Sequence, residues 1–469
     1  MRNRILSRLI IIIFLLNITG FSGCAFVIDS FESGINSIKR VFHTNRTGTL
    51  DDKEYKWAKI AWQYFDNNYN KNTGLVNGKD GYQIATLWNM SDNIMALMAA
   101  YDLKIISEHE FEGKLSNQLR FLSNMQLCSN LLPNRTYNTV TGLMVDYSWN
   151  PGESGWDAVD IGRMLIVLKI LAQKHSQYNE FIDKIVLRWD LCSAVDSDGN
   201  LLSSSKWNNS ISAYQDGYIG TKEYISRGFQ AWGYNVKKAG KFENFNKEII
   251  FKKVLFVDGR DERLTKSINS LVSSHYLLDR IEFDNQNFGS IKEIDYLEID
   301  DRYKIQTENI YKIQKMRFEI DKVMTARNTY QSNSEPFIIY NTIFGNGYTW
   351  NVLDPNGKYL KNKALISTQS VFSMWVLWDD YYTDELMNFM KNAFDPLSGW
   401  YEGRYESSSS FETTIVSSTN AVILESLWFK TNGRLYEQTD ISNSYYLKSI
   451  TSELSNKTGC IGKIRKISK

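Results

Sequence analysis

The chain has 469 residues, with 54 Lys plus Arg against 53 Asp plus Glu and a formal net charge of +1. A balance this close argues against a nucleic-acid partner held through phosphate contacts. Aromatic residues make up 14%, which suits either a ring-rich core or flat platforms for stacking sugar rings, and the length allows one large domain or two smaller ones.

Arg2, Arg4 and Arg8 precede an apolar run from Leu9 to Leu16, followed by Phe21-Ser22-Gly23-Cys24. A basic end, a short apolar stretch and a small-residue processing site predict a secretory signal. The run is too short to cross the roughly 30 Å hydrocarbon core stably. Cys24 resembles the lipid-accepting cysteine of a bacterial lipobox, with Phe21 in place of the usual leucine; an uncleaved signal anchor is the alternative. Ala25 and Phe26 follow, with no aspartate, so the expectation is a lipid-anchored envelope protein of the outer membrane or facing the periplasm. Cys128, Cys192 and Cys460 remain. One disulfide among them and three thiols are both compatible with the sequence, and no pair has zinc spacing.

Residues 25 to 50 read as a tether. From Asp51 the pattern becomes helical, with Trp57, Ile60, Ala61, Tyr64 and Phe65 at 3.6-residue spacing. The next helix is expected over 91–103, capped by Ser91-Asp92, and others over 110–127, from Asp157 to Leu171, and over 222–235, 367–378, 383–393 and 415–429. Between them lie polar, aromatic loops at 66–89, 128–156, 192–221, 343–363 and 394–413, long enough to suggest function. Helix pairs alternating with such loops fit an array of helical hairpins. The stretch 241–333 differs: β-prone pieces such as Val254-Leu255-Phe256-Val257 precede a charged, helix-like run near 302–327, read as an insertion with a solvated charged face. The expected division is a signal at 1–24, a tether, a main domain over 51–440 with that insertion, and a tail over 441–469.

No paired histidines, phosphate loop or serine elbow is present, so metal and cofactor are not expected and carboxylates remain. In Pro151-Gly152-Glu153-Ser154-Gly155-Trp156-Asp157-Ala158-Val159-Asp160-Ile161-Gly162-Arg163 a loop runs into a helix start, with Asp157 and Asp160 on one face. Two close carboxylates raise each other's proton affinity, as acid–base work near neutral pH requires. The structural alternative has Asp157 at the positive helix end and Asp160 paired with Arg163. Glu223 opens another helix among Tyr214, Tyr218 and Tyr224, either as a desolvated acid or as a first-turn residue favouring the dipole. Gly399-Trp400-Tyr401-Glu402-Gly403 suits ligand contact, Glu425 follows mid-helix, and Asp92 beside Trp88 fits a cap or a ligand group.

Several stretches together resemble the bacterial domain-of-unknown-function family 3131. They are Thr73-Gly74-Leu75-Val76, Trp88 with Asp92, Leu132-Pro133-Asn134, Val145-Asp146-Tyr147 and Gly155-Trp156 with Asp160-Ile161-Gly162-Arg163. Glu223-Tyr224 with Arg227-Gly228-Phe229, Ser334-Glu335-Pro336, Gly399 to Gly403 and Thr419-Asn420-Ala421 with Leu424-Glu425 continue the pattern. That family often has a small residue where Asp157 stands. The resemblance implies a six-hairpin glycosidase-like fold: an all-α-dominated (α/α) toroid with long loops and, here, a small β-containing insertion. A more distant similarity to the β-1,2-glucanases of glycoside hydrolase family 144 implies roles for Asp157, Asp160 and Glu223.

The resulting expectation is a glycoside hydrolase or transglycosylase acting on an exopolysaccharide or periplasmic glucan. Glu223 is the expected acid, with Asp160, helped by Asp157, activating water or attacking directly. Carboxylate separation distinguishes retention, at about 5 Å, from inversion, at about 6.5–9.5 Å. Trp88, Trp156, Trp400 and Tyr401 are expected as stacking subsites, Tyr218 and Tyr224 as further binding residues, and Glu335 and Glu402 as hydroxyl ligands, with Asp92 beside them. The competing expectation is a non-catalytic glycan-binding lipoprotein of a polysaccharide assembly or export system.

Overall fold

The computed structural model describes residues 45–283 and 301–437, apart from 208, 209 and 409, together with Tyr446, Ser449 and Cys460. The expected signal, the Cys24 lipidation position, most of the tether and nearly all of 441–469 lie outside the described residues.

The fold is predominantly helical, with small antiparallel sheets of two to four strands. In chain order the main helices are α1 (Asp52–Asn68), α2 (Leu87–Asp102), α3 (Glu108–Asn124), α4 (Ala158–Lys174), α5 (Asn179–Leu187) and α6 (Thr221–Ala231). They continue with α7 (Ser274–Phe283), α8 (Asp301–Asp321), α9 (Thr368–Leu377), α10 (Tyr381–Phe389) and α11 (Ser417–Asn432). Helices α2, α4, α6, α7, α9 and α11 pack in that order, and α11 returns to α2, which closes a ring. Outside it, α1 packs on α2 and α11, α3 on α2, α5 on α3 and α4, and α10 on α9.

Burial explains which helices are inner. Every residue from Ile94 to Ala100 in α2 is fully buried, and a helix apolar on all sides belongs in an interior. Helix α1 keeps a polar outer face and is held by a capping box, Asp51 with Glu54. The α2 cap is Thr86, which accepts from the Asn89 amide while Asn89 reaches back to the Thr86 amide. That reciprocal cap draws Leu87 to Met90 into the helix and corrects the expected start at Ser91; Ser91 and Asp92 are interior residues. Glycine allows α4 and α6 to approach closely: a Cβ on Gly162 would stand 2.6 Å from Ile225 Cβ, and one on Gly228 would collide with the Gly162 carbonyl.

Within 241–333 the strands Phe245–Ile250 and Lys253–Asp258 form a hairpin against α8. These elements share a second apolar cluster, including Phe242, Leu255, Tyr303, Ile310 and Ile313. The expected solvated run is therefore one-sided. Gln306 donates to the Phe256 carbonyl, and Tyr311 stacks on Trp378 at 4.1 Å. A disulfide joins Cys192 to Cys460, while Cys128 is buried outside it. Among the described residues no helix is long and apolar enough to cross a membrane.

Candidate active site

Strands deliver the chain into the ring. Ile84–Thr86 leads into α2, the hairpin Leu202–Trp207 with Ser210–Gln215 precedes α6, and Leu365–Ser367 leads into α9. The starts of α2, α6, α7 and α11 meet at one end. Trp88 of α2 packs edge-on to His275 of α7 at 5.7 Å, the Thr221 hydroxyl of α6 lies 3.0 Å from His275 Nδ1, and Asn89 donates to Ser417 of α11 at 2.9 Å. Helix N-termini carry unbonded N–H groups and partial positive charge, so carboxyl groups collect there.

Asp157 caps α4, accepting from the Val159 and Asp160 amides, and forms an ion pair with Arg135 at 2.9 Å. Arg135 also donates to the Tyr214 hydroxyl. The Asp160 carboxyl turns toward α2, where the Thr86 hydroxyl and the Trp88 amide donate to it. Burial, and next the Asp157 charge, push Asp160 well above the usual carboxylate range against those two hydrogen bonds. Asp216, bonded to the Ser203 hydroxyl and the Gly217 amide, is pushed up to about 7 by burial and then by Asp157. All three aspartates are half-buried: enclosed by protein yet touching solvent, as groups lining a concave opening do. The Tyr147 hydroxyl faces the same charges, those of Asp160 and Asp157.

Glu223 occupies a tighter setting. The Gly220 amide donates to one oxygen at 2.6 Å and Lys222 pairs with the other. Burial raises its pKa while Lys222 opposes. Deeper in the ring, Arg163 pairs with Glu282, with Glu425 at 2.7 Å and with the Tyr224 hydroxyl at 2.5 Å, all fully buried. Burial pushes Glu425 up to about 8 against the Arg163 charge. Asp92 accepts from Ser417 and Ser418 and is pushed up to about 6, chiefly by burial. Among the described residues no group of three or more His, Cys, Asp or Glu side chains is arranged to hold a metal ion.

Residues 56–433 match the family described as Protein of unknown function (DUF3131). The chain belongs to this family. No curated protein matches it. Among solved structures, it is similar to a glucoamylase candidate from Bacteroides caccae, at 14% identity and TM-score 0.57, over 85% of this chain and 97% of that one. It is also similar to an endo-β-1,2-glucanase from Chitinophaga pinensis in complex with sophorotriose and glucose, at 14% identity and TM-score 0.55, over 82% and 94%. A third is an endo-β-1,2-glucanase mutant from Talaromyces funiculosus in complex with β-1,2-glucan, at 12% identity and TM-score 0.53, over 87% and 88%. At these identities the likeness is one of fold.

In this DUF3131 chain the expected site residues separate into three groups. Asp157, Asp160, Trp88 and Tyr218 come together at the ring end, Tyr218 through its edge contact with His275 at 5.8 Å. Asp92, Tyr224 and Glu223 lie near them but are sequestered by protein partners. Trp156 and Trp400 are corrections to the expected stacking platforms. Trp156 donates to the Leu202 carbonyl, and Trp400, 1% exposed, donates to the Trp57 carbonyl between Phe372 and Phe394. Both are core residues whose indole N–H needs a buried acceptor. Glu402 is buried, bonded to the Gln331 amide and the Thr419 hydroxyl, and pushed up to about 7 by burial. Tyr401 is half-buried beside Phe411, and Glu335 is exposed. Asp160 does not pair with Arg163, whose partners are Glu282 and Glu425.

Sequence reading missed Arg135, Tyr147, Asp216 and His275 as site residues. Asp216 stands between Tyr214 and Tyr218, both named beside Glu223, and Arg135 directly follows Leu132-Pro133-Asn134. His275 had no local signal. Burial and then Arg163 hold its pKa down to about 3, so the ring is neutral near pH 7.

Proposed function

We propose that this protein hydrolyses or transfers glycosidic bonds in a bacterial exopolysaccharide or periplasmic glucan, on an (α/α) toroid whose active centre is the end where the inner helices begin. The observation that carries the reading is the half-buried Asp160 with its pKa raised by burial and by Asp157. A carboxyl kept protonated beside an ion-paired one is the arrangement that acid-catalysed glycoside cleavage needs. Asp160 donates its proton to the departing glycosidic oxygen. Asp157, oriented by Arg135, faces the positive charge that develops on the sugar, and Asp216 accepts a proton from the incoming water or hydroxyl. Glu223, with both oxygens engaged, positions the start of α6 rather than delivering the proton. The glucanase neighbours, crystallised with β-1,2-linked ligands, make such a glucan the first substrate to try.

The Cys192–Cys460 disulfide supports export, since such bonds persist in oxidising compartments. In this reading Cys24 carries lipid and the catalytic domain faces the periplasm or the outer membrane. The sequestration of Glu223 favours one competing reading, a glycan-binding lipoprotein without turnover. Release of reducing ends from a panel of β-1,2-glucan, α-glucan and exopolysaccharides separates the two. Turnover by the parent, abolished in Asp160→Asn, is expected; glycan binding by both without turnover would favour the binding protein.

A further inference from the structure

Beside the aspartates lies a group of aromatic side chains that the chemistry above leaves without a role. Tyr147 is 57% exposed, Trp149 40% and Phe337 53%. Trp149 has a backbone φ of +69°, a left-handed conformation that is uncommon for a bulky residue and persists only where the surroundings enforce it. They do enforce it. The Asp146 carboxylate accepts from the Ser148 and Asn150 amides and the Asn150 side chain, and the Trp149 amide donates to the Asp146 carbonyl. Tyr82 meets Trp149 edge-on at 5.2 Å and donates its hydroxyl to the Tyr147 carbonyl. The Lys79 ammonium lies 5.6 Å from the Tyr82 ring and 5.7 Å from the Phe337 ring, which brings the loop containing Phe337 to the same edge.

A core tryptophan is usually covered; this one is fixed by a dedicated turn and left open. The two residues from Tyr147 to Trp149 span at most about 7 Å, so the turn that carries the indole directly adjoins the residue facing Asp160 and Asp157. We propose that Trp149, braced by Tyr82 and faced across Lys79 by Phe337, forms a stacking subsite for a pyranose ring of the glycan, adjoining the unit cleaved at Asp160. The subsite rests on the glycan-active reading and adds to it the residues that hold the chain. An apolar sugar face packs on the indole, while the Lys79 ammonium, held over the Tyr82 and Phe337 rings, meets a ring hydroxyl.

Binding of the full chain to linear β-1,2-glucan, α-glucan and an acidic exopolysaccharide, followed by calorimetry at pH 6, tests this. The comparison includes Trp149→Ala and Trp149→Phe, with unfolding temperatures confirming that each is folded. Loss of one stacking contact is expected to weaken binding roughly tenfold in Trp149→Ala, with a much smaller loss in Trp149→Phe, which keeps an aromatic face. Equal binding by the parent and Trp149→Ala overturns the subsite while leaving the glycan-active reading in place. Absence of parent binding to every polymer overturns both.

Discussion

Asp160 is held between opposing influences. Two hydrogen bonds at the start of α2 favour its charged form, while burial and the neighbouring Asp157 oppose it and prevail. Removing the Asp157 charge leaves burial alone against those hydrogen bonds and releases Arg135, so the pKa of Asp160 falls. Activity that requires protonated Asp160 declines as pH rises through that pKa. In Asp157→Asn the alkaline limb of the kcat/KM profile is therefore expected to move to lower pH, and a limb that stays or moves up would remove Asp160 as the donor. The Asp157–Asp160 pair was legible because a glycine-rich loop running into an apolar helical pattern fixes where a cap must sit, and the structure has that cap. The tryptophans were not. Local sequence gives Trp156 and Trp400 the same appearance as an open platform, and only the Leu202 and Trp57 carbonyls across the fold decide that they are core.

Among elements, the contact between α4 and α6 sets the position of both Asp160 and the Glu223 cap. It depends on Gly162 and Gly228, where backbone lies against backbone. Gly228→Ala forces these helices apart and is expected to cost about 1–3 kcal/mol in denaturant unfolding, the usual penalty for overpacking; an unchanged midpoint would show that the contact is slack. Helix existence was readable from 3.6-residue spacing in α1, α4 and α11. The α2 start was not, because Thr86 with Asn89 forms an unfamiliar version of the capping box. The charged helix α8 was read as solvated because buried glutamines such as Gln306 and Gln314 look like surface residues until their backbone partners are known.

For the molecule as a whole, the ring encloses carboxyl groups whose pKa values are raised above their unfolded values: Asp216 and Glu402 to about 7 and Glu425 to about 8. Each gives its full contribution to stability below its unfolded pKa and loses it as pH rises through the folded value. The lowered histidines His175 and His275 act below about 6.5, their unfolded value. Lys169, lowered to about 8 by burial, begins to act only around that pH. Between pH 6.5 and 8 the acids therefore dominate, and the unfolding temperature is expected to fall across that window. Glu425→Gln cannot ionise, so its slope should be shallower; a parent curve that is flat or rising would contradict the burial of these acids as charged-form penalties. Ring closure itself, α11 upon α2, follows from the order of the helix pairs but not from any local pattern. His275 was overlooked for the same reason: only the packing of the ring brings it beside Trp88.

The most direct test measures reducing ends released from β-1,2-glucan by the parent, Asp160→Asn and Glu223→Gln at pH 6, each shown to be folded. The account predicts turnover by the parent, a loss of at least about a hundredfold in Asp160→Asn, in line with removal of a general acid, and a smaller loss in Glu223→Gln. Full turnover in Asp160→Asn with none in Glu223→Gln would contradict it and return the proton to Glu223.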